Sequence, residues 1–252
     1  MHLKNLLLFV VAFIFLPSCK HSTTPDEILD NEHFDFILYD GLSPSIIPDI
    51  SNELENNYER IITDLQIMNM PAVTVKIWAD YDNFLEAMQT DIGVRYTGAT
   101  GYLFGMQEMR LQYSDEVSQT AVHEFAHLVS LQVNSNFANR PRWLWEAVAL
   151  YECQDFVYPK SLPYMVSGDY PTLSELNTDF NSSNHSIYSV GYVLLEFVVQ
   201  TWSMAKVIDL IKTNGNIPSV LGITTQMFES GWHQYVEDKY LNQTKSLTDT
   251  EQ

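Results

Sequence analysis

Two histidines four residues apart flank a glutamate in the segment His123-Glu124-Phe125-Ala126-His127. If the segment is helical, both histidines lie on one face, so their imidazole nitrogens can converge on a metal ion at roughly 2 Å. The glutamate beside them can reach a water at that ion and act as a general base. The alternative is two partly exposed helix histidines beside a surface glutamate.

A second segment offers a third metal ligand. Glu146 is the only charged residue in the apolar stretch Trp143-Leu144-Trp145-Glu146-Ala147-Val148-Ala149-Leu150-Tyr151, which has the composition of a helix buried nearly all round. A carboxylate buried there must be paired or bound to a metal, because an unpaired charge would cost several kcal/mol. A salt bridge to Arg140 or Arg142 is the alternative, and Glu152 is a weaker ligand candidate because it lies on another helical face.

The elements that must position these residues follow from hydrophobic periodicity and helix-start signals. Ser114, followed by two acidic residues, predicts the start of the helix that carries both histidines, and Pro141 predicts the start of the helix that carries Glu146. The predicted helices are 46–67, 81–88, 114–133, 142–156, 173–176, 188–202 and 204–212, with a final segment at 220–241. The predicted strands are 72–78, 102–104 and 109–113.

With these motifs in place, the chain resembles the gluzincin superfamily of zinc peptidases, the clan of thermolysin and the aminopeptidase N group. Eighteen residues separate His127 from Glu146, as in the aminopeptidase N branch. The helix around Glu146 resembles that branch's W-L-x-E-G-x-A-x-Y motif, and Tyr188-Ser189-Val190-Gly191 resembles its downstream Y-x-x-G. The resemblance covers roughly residues 73–212 and is nearest to the shorter peptidase-MA-like domains. It implies an α+β fold with a small mixed sheet, the active-site helix and a mainly helical C-terminal half.

The sequence also departs from that pattern. Ala147 replaces the usual glycine, and Cys153 stands where a glutamate often closes the motif, although a buried inert thiol is its default interpretation. The segment Gly105-Met106-Gln107-Glu108-Met109 only weakly resembles the G-x-M-E-N motif of aminopeptidases. In those enzymes, the glutamate of the motif binds the free amine of the substrate. Exopeptidase specificity is therefore not implied.

The resemblance implies zinc as cofactor, bound by His123, His127 and Glu146, and hydrolysis of peptide bonds. Glu124 would then act as general base, and Tyr188 would stabilise the oxyanion. His185 is an alternative candidate to Tyr188 for stabilising the oxyanion. Two other functions remain open: a zinc-binding surface module without turnover, and a hydrolase of non-peptide amides. The intact Glu124 argues against the first, because a structural zinc site needs no general base.

The N-terminus predicts export. Lys4 precedes an apolar run that ends in Leu16-Pro17-Ser18-Cys19, which resembles a bacterial lipobox. We therefore expect a signal peptide over residues 1–18, lipidation of Cys19 and anchoring in the bacterial cell envelope, with a cleaved signal and an incidental cysteine as the alternative. The expected organisation continues with a tether over 19–44, one zinc peptidase domain over 45–242 and a polar tail over 243–252.

Composition limits the possible partners. The formal net charge of -19 and the pI near 4.5 disfavour binding to nucleic acid or to an anionic lipid surface. Hydrophobic residues make up 46% of the chain, enough for one sizeable core. We expect a monomer that contacts a membrane only through its lipid anchor and takes a peptide or protein as substrate.

Overall fold

The computed structural model describes Pro25 and residues 27–30, 32–178 and 185–242. The predicted signal peptide, the predicted lipid site at Cys19 and the polar tail lie outside these residues. The described chain has a mixed α+β architecture, in which a sheet in the first half is followed by helices. None of the described helices is long and apolar enough to cross a lipid bilayer.

Five strands form the described sheet, in the spatial order β1-β2-β3-β5-β4. Their bounds are β1 Glu27–Asp30, β2 Phe34–Tyr39, β3 Val73–Trp78, β4 Gly101–Leu103 and β5 Glu108–Gln112. β2, β3 and β5 run parallel to one another, whereas β1 and β4 pair antiparallel at the two edges. Of the described strands, β5 is the last in sequence, and residues 113–116 connect it to the helix that carries the two histidines.

Helices cover both faces of this sheet. Alternate β3 residues Val73, Val75 and Ile77 are fully buried in the main core, together with residues of α1 (Ile47–Asp64) and α3 (Val117–Val133). Trp78 instead belongs to a smaller cluster with α2 (Tyr81–Ile92) on the opposite face. This alternation is what a pleated strand between two apolar layers requires.

The second half of the described chain is helical. After α4 (Arg142–Glu152), the helices are α5 Pro163–Val166, α6 Leu173–Leu176, α7 Ile187–Thr201, α8 Met204–Lys212, α9 Ile217–Leu221 and α10 Thr225–Val236. Short 3-10 turns occur at Pro44–Ile46 and Pro159–Ser161, and a π-helical turn at Glu237–Leu241 follows α10. α4 packs against both α3 and α7, so it lies at the centre of the helical half.

The α+β class and most element positions agree with the sequence predictions, but several boundaries differ. α3 begins at Val117 rather than at Ser114, because its N-cap residue is Glu116 and Ser114 does not cap the helix. α1 ends at Asp64 rather than 67, and α2 continues to Ile92 rather than ending at 88. The sequence predicts a tether up to residue 44, but β2 is part of the sheet, so the folded region begins earlier. The second predicted site helix ends at Glu152 rather than 156. The segment predicted over 220–241 is divided, because Gly222 adopts a left-handed conformation that ends α9.

Candidate metal centre

The three candidate ligands come from two packed helices. α3 is buried along most of its length, and its His123 and His127 lie one turn apart on the same side. α4 starts after Pro141 and buries nearly every side chain, which brings Glu146 against that side of α3. Trp145 stacks on the His127 ring at 4.0 Å between centroids, almost parallel, so this imidazole is held by packing.

The three side chains converge on one point. Glu146 Oε2 lies 3.4 Å from His123 Nε2 and 3.5 Å from His127 Nε2. Ligand atoms at about 2.0–2.1 Å from a tetrahedral zinc ion are roughly 3.3–3.4 Å apart. The two distances from Glu146 are therefore close to those in a tetrahedral ligand set, and all three ligand atoms lie within 4.8 Å of one another. Among the described residues no other group of three or more potential ligands meets this limit.

The states of Glu146 and His127 also fit a metal. Glu146 Oε2 is buried, and it has no hydrogen-bond partner of acceptable geometry among the described residues. Burial opposes ionisation of Glu146, but His123 and His127 lower its pKa, so it is a carboxylate. Burial lowers the pKa of His127 to about 4, which leaves that imidazole neutral with a free lone pair. Two histidines and one carboxylate are a donor set typical of catalytic zinc.

Glu124 stands beside the ligands without belonging to them. Its side chain is buried, and burial raises its pKa to about 7. The edge strand β4 passes directly over it: a Cβ built on Gly101 would lie 2.6 Å from Glu124 Oε1. Gly101 therefore leaves the room that the carboxylate needs to point into the cleft, and a carboxylate with a pKa near neutrality suits a general base.

Tyr188 is brought to the site by the first turn of α7. Its ring centroid is 6.4 Å from that of His123, and Arg142 Nη2 donates to its hydroxyl at 3.4 Å. Burial raises the pKa of Tyr188, so the phenol keeps its proton and can donate it in a hydrogen bond. Arg142 Nη2 also lies 4.0 Å from Glu146 Oε1, whereas the two histidines approach Oε2. The salt bridge to Glu146 considered from the sequence thus coexists with the metal geometry, at long distance.

A cleft opens on both sides of these residues. One cavity of about 520 Å³ has a polar wall that includes Glu116, Thr120 and Asp155. The second cavity, of about 370 Å³, has apolar walls that include Met88 and Leu103. His123, Glu124 and Tyr188 line both cavities. An extended ligand can therefore pass across the candidate reaction centre with parts on either side of it.

Other sequence candidates lie elsewhere. His185 faces Asp169 at 3.5 Å and Glu175 at 3.8 Å, and it lines neither cavity. The structure therefore places His185 outside the two cavities that Tyr188 lines. Glu108 is the glutamate of the segment that weakly resembles the aminopeptidase G-x-M-E-N motif. It lies on β5, where its carboxylate pairs with Lys76 at 2.9 Å, and it lines neither cavity.

Two further side chains near the site have partners that the sequence did not indicate. Glu152 is fully buried and pairs with Arg60 of α1 at 2.6 Å, which explains its absence from the ligand set. Cys153 borders the polar cavity, and its Sγ lies 3.9 Å from His123 Nδ1. Their partners are 92 and 30 residues away in sequence, beyond the reach of local patterns.

Comparisons with known proteins add little. No protein-family model matches the chain, and no curated protein matches it. Among solved structures, a similar chain is described as an aminopeptidase N family protein from Idiomarina loihiensis, with 11% identity and a TM-score of 0.41. The match covers 83% of this chain and 40% of that one, so this chain spans less than half of that protein. A likeness at this TM-score carries no argument.

Proposed function

We propose that the protein is a zinc-dependent hydrolase of peptide bonds with a gluzincin-like site. The observation that supports this most directly is the convergence of two Nε2 atoms and one carboxylate oxygen, at tetrahedral spacing, beside a fourth residue suited to act as a base. His123, His127 and Glu146 would hold the metal. When bound there, zinc supplies Lewis acidity, which polarises a carbonyl and lowers the pKa of water.

Glu124 is placed to move protons. Its carboxylate borders both cavities and has a pKa near neutrality, so it can accept a proton from the attacking water and later pass it to the leaving amine. Because a metal site with only a structural role has no use for such a base, Glu124 favours turnover over a binding module.

Tyr188 is placed to stabilise negative charge. A phenol that stays protonated and is held by Arg142 can donate a hydrogen bond to the oxygen that becomes anionic in the transition state. The cleft on either side gives an extended chain room to bind. The net charge of -19 supplies no electrostatic attraction for nucleic acid, which is consistent with a peptide substrate.

A substitution of the proposed base tests turnover. Glu124→Gln should bind zinc and fold like the wild type but hydrolyse peptides about 10²–10⁴-fold more slowly, because only proton transfer is removed. Glu116→Gln is the matched control, since Glu116 lines the same cleft on its exposed wall and should be dispensable. Zinc content and digestion of a peptide library are the readouts. Wild-type protein that never exceeds Glu124→Gln on any peptide would favour the binding module.

We also propose that the domain works outside the cytoplasm of a bacterium, anchored through a lipid on Cys19. The support is the lipobox-like sequence Leu16-Pro17-Ser18-Cys19 after a short apolar run. We propose that it acts there as a monomer.

A further inference from the structure

We propose that Cys153 is a positioning residue for the metal site, which fixes the tautomer and orientation of the His123 ring by accepting a hydrogen bond from its Nδ1. The inference rests on the proposed metal site and assigns a role to a side chain that the proposed hydrolysis does not use. A thiol occupies here the place where a metal-binding histidine commonly meets a carboxylate or a backbone carbonyl.

The direction of the hydrogen bonds follows from the atoms involved. Cys153 Sγ lies 3.6 Å from the backbone oxygen of Leu150 and 3.9 Å from His123 Nδ1. The Leu150 oxygen accepts from the thiol, and a single S–H that donates there cannot also donate to Nδ1. The sulfur lone pairs then face Nδ1, which must carry the ring hydrogen. In that tautomer His123 Nε2 keeps its lone pair, and Nε2 is the atom that faces Glu146 Oε2.

The backbone that carries Cys153 is held in place. α4 ends at Glu152, and Arg60 of α1 binds this residue twice: Nη1 donates to the carboxylate Oε2 at 2.6 Å, and Nη2 donates to the backbone oxygen. The Glu152 side chain is fully buried. Because the end of α4 is tied to α1 in this way, the sulfur stays beside the ring, which is the condition for a positioning role.

Two substitutions separate hydrogen bonding from packing. Cys153→Val keeps bulk but removes the acceptor, whereas Cys153→Ser keeps an acceptor and a donor but loses bulk. If the hydrogen bond matters, Cys153→Val should raise the zinc dissociation constant by about 10–100-fold, and Cys153→Ser should raise it less. Thr90→Val, an isosteric change at an exposed residue of α2 that lines neither cavity, is the control and should leave zinc affinity unchanged.

The measurement is zinc competition with a chelator on the full chain, with far-UV circular dichroism to check folding. If Cys153→Val does not fold, Cys153→Ala replaces it, with the same expected loss. Wild-type zinc affinity in the folded variant, or weaker binding by Cys153→Ser than by Cys153→Val, would overturn this inference alone. A wild-type chain that takes up no zinc after reconstitution would overturn the proposed metal site, and this inference with it.

Discussion

Gly101→Ala is the substitution for which the structure gives the clearest expected magnitude. The added methyl carbon would lie 2.6 Å from Oε1 and 2.8 Å from Cγ of Glu124. Favourable non-bonded contacts lie at about 3.5–4.0 Å, so the carboxylate must move by roughly 1 Å. A misplacement of about 1 Å can cost 10²-fold in rate, which corresponds to about 2.7 kcal/mol of activation free energy.

The fold should tolerate this change. Gly101 is not among the glycines with a positive φ, so alanine fits its backbone, and the loss of chain entropy in the unfolded state favours folding slightly. Zinc affinity should be unchanged, because Glu124 is not a ligand. The expected result is therefore a fall in kcat of about 100-fold in a stable protein that still binds zinc.

The assay is steady-state peptide hydrolysis by Gly101→Ala beside Thr100→Ala, a change at the neighbouring exposed residue that should have little effect. Glu124→Asp supplies a second control, because its side chain is one methylene shorter and avoids part of the clash. Gly101→Ala should therefore cost less in the Glu124→Asp background than in the wild type. Activity of Gly101→Ala within about threefold of wild type would refute the assignment of Gly101 as the residue that leaves room for the base.

Three further predictions concern the ligand, the oxyanion and the anchor. Glu146→Ala should lower zinc affinity at least 100-fold because one of three ligands is lost, whereas Glu152→Ala should mainly lower the melting temperature; the opposite order in a zinc titration would reject Glu146 as ligand. Tyr188→Phe should lower kcat by about 10²-fold with little change in KM, while His185→Ala should leave kcat unchanged; a loss confined to His185→Ala would transfer the role. Radiolabelled palmitate should enter the full-length chain in bacteria but not Cys19→Ala, and label that persists in the mutant would place the lipid elsewhere.

The group of three candidate ligands can be predicted from the sequence because its signal is local. His123 and His127 are four residues apart, so they share a face as soon as their segment is helical. Glu146 is recognisable because it is the one charged residue in an apolar helical segment. The structure brings all three within 4.8 Å of one another. Helical periodicity was equally informative for α8, whose predicted bounds coincide with Met204–Lys212.

What the sequence could not show depends on contacts between distant segments. The predicted tether contains β2, because the pairing of Phe34-Asp35-Phe36-Ile37-Leu38-Tyr39 with β3 is not a local property of the sequence. The approach of Gly101 to Glu124 is likewise a tertiary contact. A glycine in a loose, glycine-punctuated region gives no sign that a carboxylate lies beneath it.

The packing of α7 on α4 gives a physical reason for the Y-x-x-G pattern and for the tolerance of Ala147. A Cβ on Gly191 would lie 2.6 Å from Leu150 Cδ1 and 3.2 Å from the Ala147 Cα, so the missing side chain of Gly191 is what lets the two helices approach this closely. Tyr188 lies three residues before Gly191 on the same face of α7. The close packing of α7 on α4 therefore also brings Tyr188 to the turn of α4 that bears Glu146. Since the glycine on α7 already provides the space, α4 can keep a methyl group at position 147 without moving the phenol away from the candidate metal centre.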